Sequence, residues 1–90
     1  MASRVAVISI ILTGSDPAEE VNAILHRYAK YIIGRMGIPY REKNINIISL
    51  AIDAPQDVIS ALSGQLGKMK GVSAKTAYSP VITEIAEEQV

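Results

Sequence analysis

The 90-residue sequence predicts an α+β fold, a βαββαβ sandwich, and two observations carry that expectation. The run from Ile33 to Ile52, IGRMGIPYREKNINIISLAI, reads as two adjacent strands set between two amphipathic helical patterns. One further strand-like run lies on each outer side, Arg4 to Thr13 and Gly71 to Tyr78. With short connections and right-handed crossovers, that order has one common solution: a four-stranded antiparallel sheet of spatial order 4-1-3-2 with both helices on one face.

The first strand is apolar on both alternating sets, with Ala6, Ile8, Ile10 and Leu12 on one face and Val5, Val7, Ser9 and Ile11 on the other. Such a strand belongs at the centre of a sheet covered on both sides. Gly14, Ser15, Asp16 and Pro17 then punctuate the chain. Asp16 suits a helix N-cap, Pro17 the first helical position, and Glu19 a capping box. Val21, Ile24, Leu25, Tyr28 and Ile32 form one apolar stripe of the helix that follows, which Gly34 is expected to end. Arg35 to Glu42 reads as a second strand, and Gly37 and Pro39 mark it as an edge. After a turn at Lys43-Asn44, Ile45 to Asp53 is a second central strand, with Ile48, Leu50 and Ile52 on one face and Ile45, Ile47, Ser49 and Ala51 on the other. Pro55 opens the second helix, whose stripe is Val58, Ile59, Leu62, Leu66 and Met69. Gly71 ends it, and the fourth strand runs to Tyr78 with Pro80 as its stop. The expected organisation is one domain over residues 1–78 and a C-terminal tail over 79–90.

Both helices cover one face, so Val5, Val7, Ile11, Ile45 and Ile47 point to a face that no helix covers. An apolar area of a few hundred Å² would match or exceed the largest patch usual on a soluble monomer. A homodimer or homotetramer is therefore expected, with the alternative that Val81, Ile82, Ile85 and Val90 of the tail fold back as a lid.

Composition narrows the function classes. Nine basic and nine acidic residues cancel, which argues against a strong phosphate-binding term and an anionic membrane surface. The absence of cysteine excludes disulfides, thiolate metal sites and thiol nucleophiles, and suits a cytoplasmic protein. No run approaches the roughly 18 apolar residues of a membrane helix. His26 is the only histidine, and one imidazole does not hold a transition metal, so it reads as a surface residue. Ser15, Ser60 and Ser63 have no placed base, and no catalytic residue is assigned. Gly64-Gln65-Leu66-Gly67 has the GXXG shape of a nucleic-acid clamp, but Leu66 belongs to the buried stripe, which makes the segment helical. The stacking aromatics of an RNA-binding sheet are missing from the first and third strands. Arg35, Arg41 and Lys43 guard the edge strand with charge, and an anion or a neighbouring subunit's acid is the rarer role for them. One candidate ligand site remains, the turn Thr13-Gly14-Ser15-Asp16, where small residues bring backbone amides to a helix N-terminus.

Val21 to Thr76, and above all GRMGIPYRE, INIISL and LSGQLGKMKGV, resembles the iron-only hydrogenase system regulator family. That family is grouped with ACT-like domains and with the C-terminal domain of the nickel-responsive regulator. The resemblance implies a ferredoxin-like fold, oligomers and a regulatory role associated with iron-only hydrogenase assembly. It carries over no catalytic or metal residue. The nickel-responsive regulator places a DNA-binding domain ahead of this fold and holds nickel with histidines and a cysteine. Here the first strand starts at Arg4 and a single histidine is present, so neither direct operator binding nor a nickel site is expected. The leading expectation is a non-enzymatic, cytoplasmic, oligomeric ACT-like module with no cofactor, acting by protein contact or ligand binding. A transcriptional effect would need a partner that binds DNA. The alternatives are an amino-acid or other small-molecule sensor using Thr13, Gly14, Ser15 and Asp16, and a small enzyme or metallochaperone.

Overall fold

A computed structural model describes residues 2–14 and 16–84, with side chains through Val81. The order is β1 (Ala2–Thr13), α1 (Ala18–Arg27), a 3₁₀ turn (Ala29–Tyr31), β2 (Ile32–Tyr40), a second 3₁₀ turn (Arg41–Lys43), β3 (Ile45–Ala54), α2 (Gln56–Gly67) and β4 (Val72–Glu84). The strands form one antiparallel sheet in the order β2-β3-β1-β4, the expected 4-1-3-2 arrangement of a ferredoxin-like fold. Among the described residues no helix is long and apolar enough to cross a membrane.

The core follows the period-two pattern of the central pair. Ala6, Ile8, Ile10 and Leu12 of β1 and Ile48, Leu50, Ile52 and Ala54 of β3 are buried beneath the helices. Val21, Ile24 and Leu25 of α1 and Ile59, Leu62 and Leu66 of α2 close over them. Burying each large aliphatic side chain contributes about 1.5–3 kcal/mol, which holds both helices on this one face.

Several boundaries depart from expectation, among them the end of α2, which is reached at Gly67 and not at Gly71. α1 ends at Arg27, not near Gly34: the chain tightens through Ala29–Tyr31, and the β-branched pair Ile32-Ile33 starts β2. Gly34 is no helix terminus; it adjoins a register shift where β2 pairs with β3. At the start of α1, Pro17 stands in the cap position expected for Asp16, its carbonyl accepting the Val21 N–H at 2.9 Å, without a side-chain cap. Strand β2 closes at Tyr40, two residues before Glu42.

The largest difference is in β4, which passes through Pro80 to Glu84 where a stop at Tyr78 was expected. A second register shift explains it, because Arg4 pairs with Ile82 and Ala6 with Tyr78, leaving Ser79, Pro80 and Val81 opposite Val5 alone. Pro80 thus sits in a bulge, where its missing N–H breaks no ladder bond. Arg4 fixes the irregularity: Nε donates to the Ser79 carbonyl at 2.8 Å and Nη1 to Gln56 Oε1 at 3.1 Å. Its guanidinium lies 4.9 Å from the Tyr78 ring centroid. Of the residues expected to act as a lid, Val81 is exposed within β4 and Ile82 is paired in its backbone, while Ile85 and Val90 lie outside the described residues.

Arg4→Ala removes a partly buried hydrogen bond and a cation–π contact together and is expected to destabilise the fold by about 1–2 kcal/mol. Urea denaturation measures it; a loss within a few tenths of a kcal/mol would show that the bulge holds without the clamp.

Candidate functional site

Two surfaces are built by this arrangement. The first is the sheet face opposite the helices. Register places Ile11 beside Ile47, Val7 beside Ala51 and Thr13 beside Ile45 on it. Val5, Val7, Ile11 and Ile47 are exposed, and Ile45 is half-buried between Thr13 on one side and Tyr40 on the other. Strand β2 extends the patch. Met36 lies opposite Ser49, Ile38 opposite Ile47 and Tyr40 opposite Ile45, so all three share the open face, with Met36 60% exposed. Residue reading missed these three, although their alternation is visible in MGIPY: Gly37 and Pro39 occupy the intervening positions and drew attention to the edge instead. Charge on the described part of this face is sparse, with Asp53 on β3 and Lys75 on β4.

The second surface surrounds the β1–α1 turn. Gly14, Asn44 and Gly71 all take left-handed backbone angles, with φ of 83°, 53° and 79°. They come from three different connections, and the chain binds them together: Thr13 N–H donates to the Gly71 carbonyl and Gly14 N–H to the Asn44 carbonyl, each at 2.8 Å. The expectation of free amides at this turn is therefore corrected for Thr13 and Gly14, whose donors already have partners. Ser15 lies outside the described residues, and Asp16 is exposed. Beside the turn a cleft of about 730 Å³ runs between α1 and the end of α2. Asp16 and Glu20 line it together with Arg27, Lys68 and Lys70, over Ile24 and Met69. Such a lining offers both signs of charge over an apolar floor.

The remaining candidates take structural places. Gly64 and Gly67 lie in α2, so no GXXG loop forms, and a side chain at either would meet nothing within 4 Å. Crowding inside the chain is thus not the reason for these glycines. Ser63 shares a 3.1 Å hydrogen bond with Thr76, and Ser60 accepts from Gln56 at 3.2 Å. His26 is exposed on α1, and among the described residues His, Asp and Glu side chains form no group of three or more with metal-binding geometry. Arg35 is on the helix side of β2, donating to Asn22 Oδ1 at 2.9 Å.

Known proteins bear on this geometry. The model of the TM1266-like family, provisionally described as an iron-only hydrogenase system regulator, matches residues 4–76. The structure of the uncharacterized protein TM1266 from Thermotoga maritima is similar at 38% identity and a TM-score of 0.81, over 84% of this chain and 96% of that one. A formyltetrahydrofolate deformylase from Pseudomonas putida KT2440 shares the fold alone, at 11% identity and a TM-score of 0.60, over 81% of this chain and 28% of that one. No curated protein matches.

The turn cluster generates a paired prediction. A Cβ at Gly71 would stand 3.2 Å from the Thr13 carbonyl in a left-handed conformation, so Gly71→Ala is expected to cost about 1–2 kcal/mol. Gly64→Ala, in open space within a helix, is expected to stabilise by about 0.5–1 kcal/mol. Denaturation of the two variants side by side checks both signs.

Proposed function

The chain belongs to the TM1266-like family, and from that premise we propose that it is a non-enzymatic, cytoplasmic regulatory protein of the iron-only hydrogenase system, acting as a homo-oligomeric contact module. The observation that carries the reading is the open apolar sheet face, on which Val5, Val7, Ile11, Met36, Ile38, Tyr40 and Ile47 are all exposed. A contiguous patch of that kind marks an interaction surface. A second copy suits it, because the patch is continuous across β1, β2 and β3, the chain is neutral, and the sparse face charges Asp53 and Lys75 are of opposite sign. The oligomer leaves the helix layer outward, free for other contacts. An effect on transcription passes, in this reading, through a partner that binds DNA.

A second reading is favoured by the cleft between α1 and α2. A small effector bearing both an ammonium and a carboxylate would find acids for the first in Asp16 and Glu20 and bases for the second in Lys68, Lys70 and Arg27, all lining the same cleft. This keeps the sensor role near Thr13 and Asp16 but gives the recognition to side chains, since the Thr13 and Gly14 amides are engaged.

Light scattering on the native particle tests the first reading. A dimer or tetramer is expected, reduced to a monomer by Val7→Asp and by Ile47→Asp with the circular dichroism spectrum unchanged. A monomeric wild type, or an oligomer that both variants leave intact, would sink it. Thermal shift against amino acids tests the second: a melting temperature that rises with ligand concentration is expected, and no response across the set counts against it.

A further inference from the structure

Strand β2 is the least covered strand, exposed at every residue after Ile32, and its outer edge has no neighbour among the described residues. A proline fits a paired strand where its nitrogen faces away from the neighbour. Pro39 is paired opposite Asn46, so alternation directs the backbone groups of Arg35, Gly37 and Pro39 to the free edge. On the helix side of the strand lie two pits. One, of about 290 Å³, is lined by Gly37 and Pro39 with Leu12, Ala18 and Ile48. The other, of about 320 Å³, is lined by Ile32, Ile33 and Gly34 with Leu25 and Ala29. Arg35 borders both, and its hydrogen bond to Asn22 separates them.

We propose that the free edge of β2 accepts an extended segment of a partner protein as a fifth strand. Apolar side chains at positions i and i+4 of that segment enter the two pits, and a carboxylate at i+2 meets Arg35. Residues two apart on a strand share a face at intervals of about 7 Å; Gly37 and Arg35 follow that alternation, and Ile33, at the register shift between Ile32 and Gly34, lines the second pit next to them. Main-chain bonds to Arg35 and Gly37 supply affinity, and the pits read alternate side chains. Gly37 opens the way, because nothing stands within 4 Å of where its side chain would begin. Arg35 is held by a neutral amide oxygen, and just beyond the strand Arg41 and Lys43 flank a single acid, Glu42. A second copy of β2 is a poorer fit: it would bring Arg35, Gly37 and Pro39 to the helix side, with Ile33 as one aliphatic side chain for two pits and no acid on the strand for Arg35. The proposal rests on the reading of the chain as a contact module and assigns the contact to a surface other than the open sheet face.

The probe is a labelled nine-residue peptide with leucine at its third and seventh positions, glutamate at its fifth and threonine elsewhere, followed by fluorescence anisotropy on the full chain. Saturable binding is expected, together with slowed hydrogen exchange at the Arg35 and Gly37 amides. Arg35→Glu is expected to weaken binding by about tenfold or more and to restore it for the peptide carrying lysine in place of glutamate. That charge exchange separates recognition from misfolding. Absence of saturable binding, equal binding of a scrambled peptide, or an unchanged charge preference in the variant would each overturn the proposal. So would Arg35 and Gly37 amides already protected in an oligomer that Val7→Asp leaves intact, since a second copy would then occupy the edge. Failure of the peptide with success of the Val7 and Ile47 variants refutes the edge site alone.

Discussion

Strand β1 is the constraint on which the rest of this molecule depends. It is paired along nearly its whole length with β3 on one side and β4 on the other, and both of its alternating sets are apolar. The set Ala6, Ile8, Ile10 and Leu12 is fully buried and makes the floor on which both helices rest. The other set, Val5, Val7 and Ile11, has the same chemistry and no cover. Because the side-chain period of a strand is two, a one-residue slip would exchange these sets at every position. The register of one strand therefore fixes the core and the open face together.

That coupling decides how much was legible in the sequence. The order of elements, the two central strands and the helix-borne core follow from periodicity alone, since each segment's pattern agrees with its neighbours in the sheet. Boundaries set by partners were not legible. Ile32 fits a helical stripe by spacing, yet it pairs with Ile52 across the sheet and is extended, so tertiary pairing overrides the local pattern. Pro80 reads as a stop, yet a bulge absorbs it because β1 offers one residue, Val5, against three.

The candidate sites divide in the same way. Val5, Val7, Ile11 and Ile47 could be placed on the open face from alternation, and Met36, Ile38 and Tyr40 obey the same rule on β2. At the β1–α1 turn, glycine and small residues correctly signal special backbone angles. What the sequence does not carry is which carbonyls the turn amides meet, because Asn44 and Gly71 come from connections about thirty and sixty residues further along the chain. The fastening of three connections at one end of the sheet also explains why the adjacent cleft has side chains, and not main-chain donors from Thr13 and Gly14, as its recognition groups.

The pairing of β1 with β4 also bears on how the chain reaches its fold. Among the described elements the central strand is made before the others, and one of its two neighbours, Val72–Glu84, is made after them. At a synthesis rate of about 5–20 residues per second, β1 waits several seconds with the edge meant for β4 open. Pairing across so long a stretch of chain is intrinsically slow, and an apolar strand held open for that time is prone to wrong partners. A nascent chain of this architecture is thus most vulnerable before β4 is made, and shielding of β1 during that interval falls to the helices or to a chaperone.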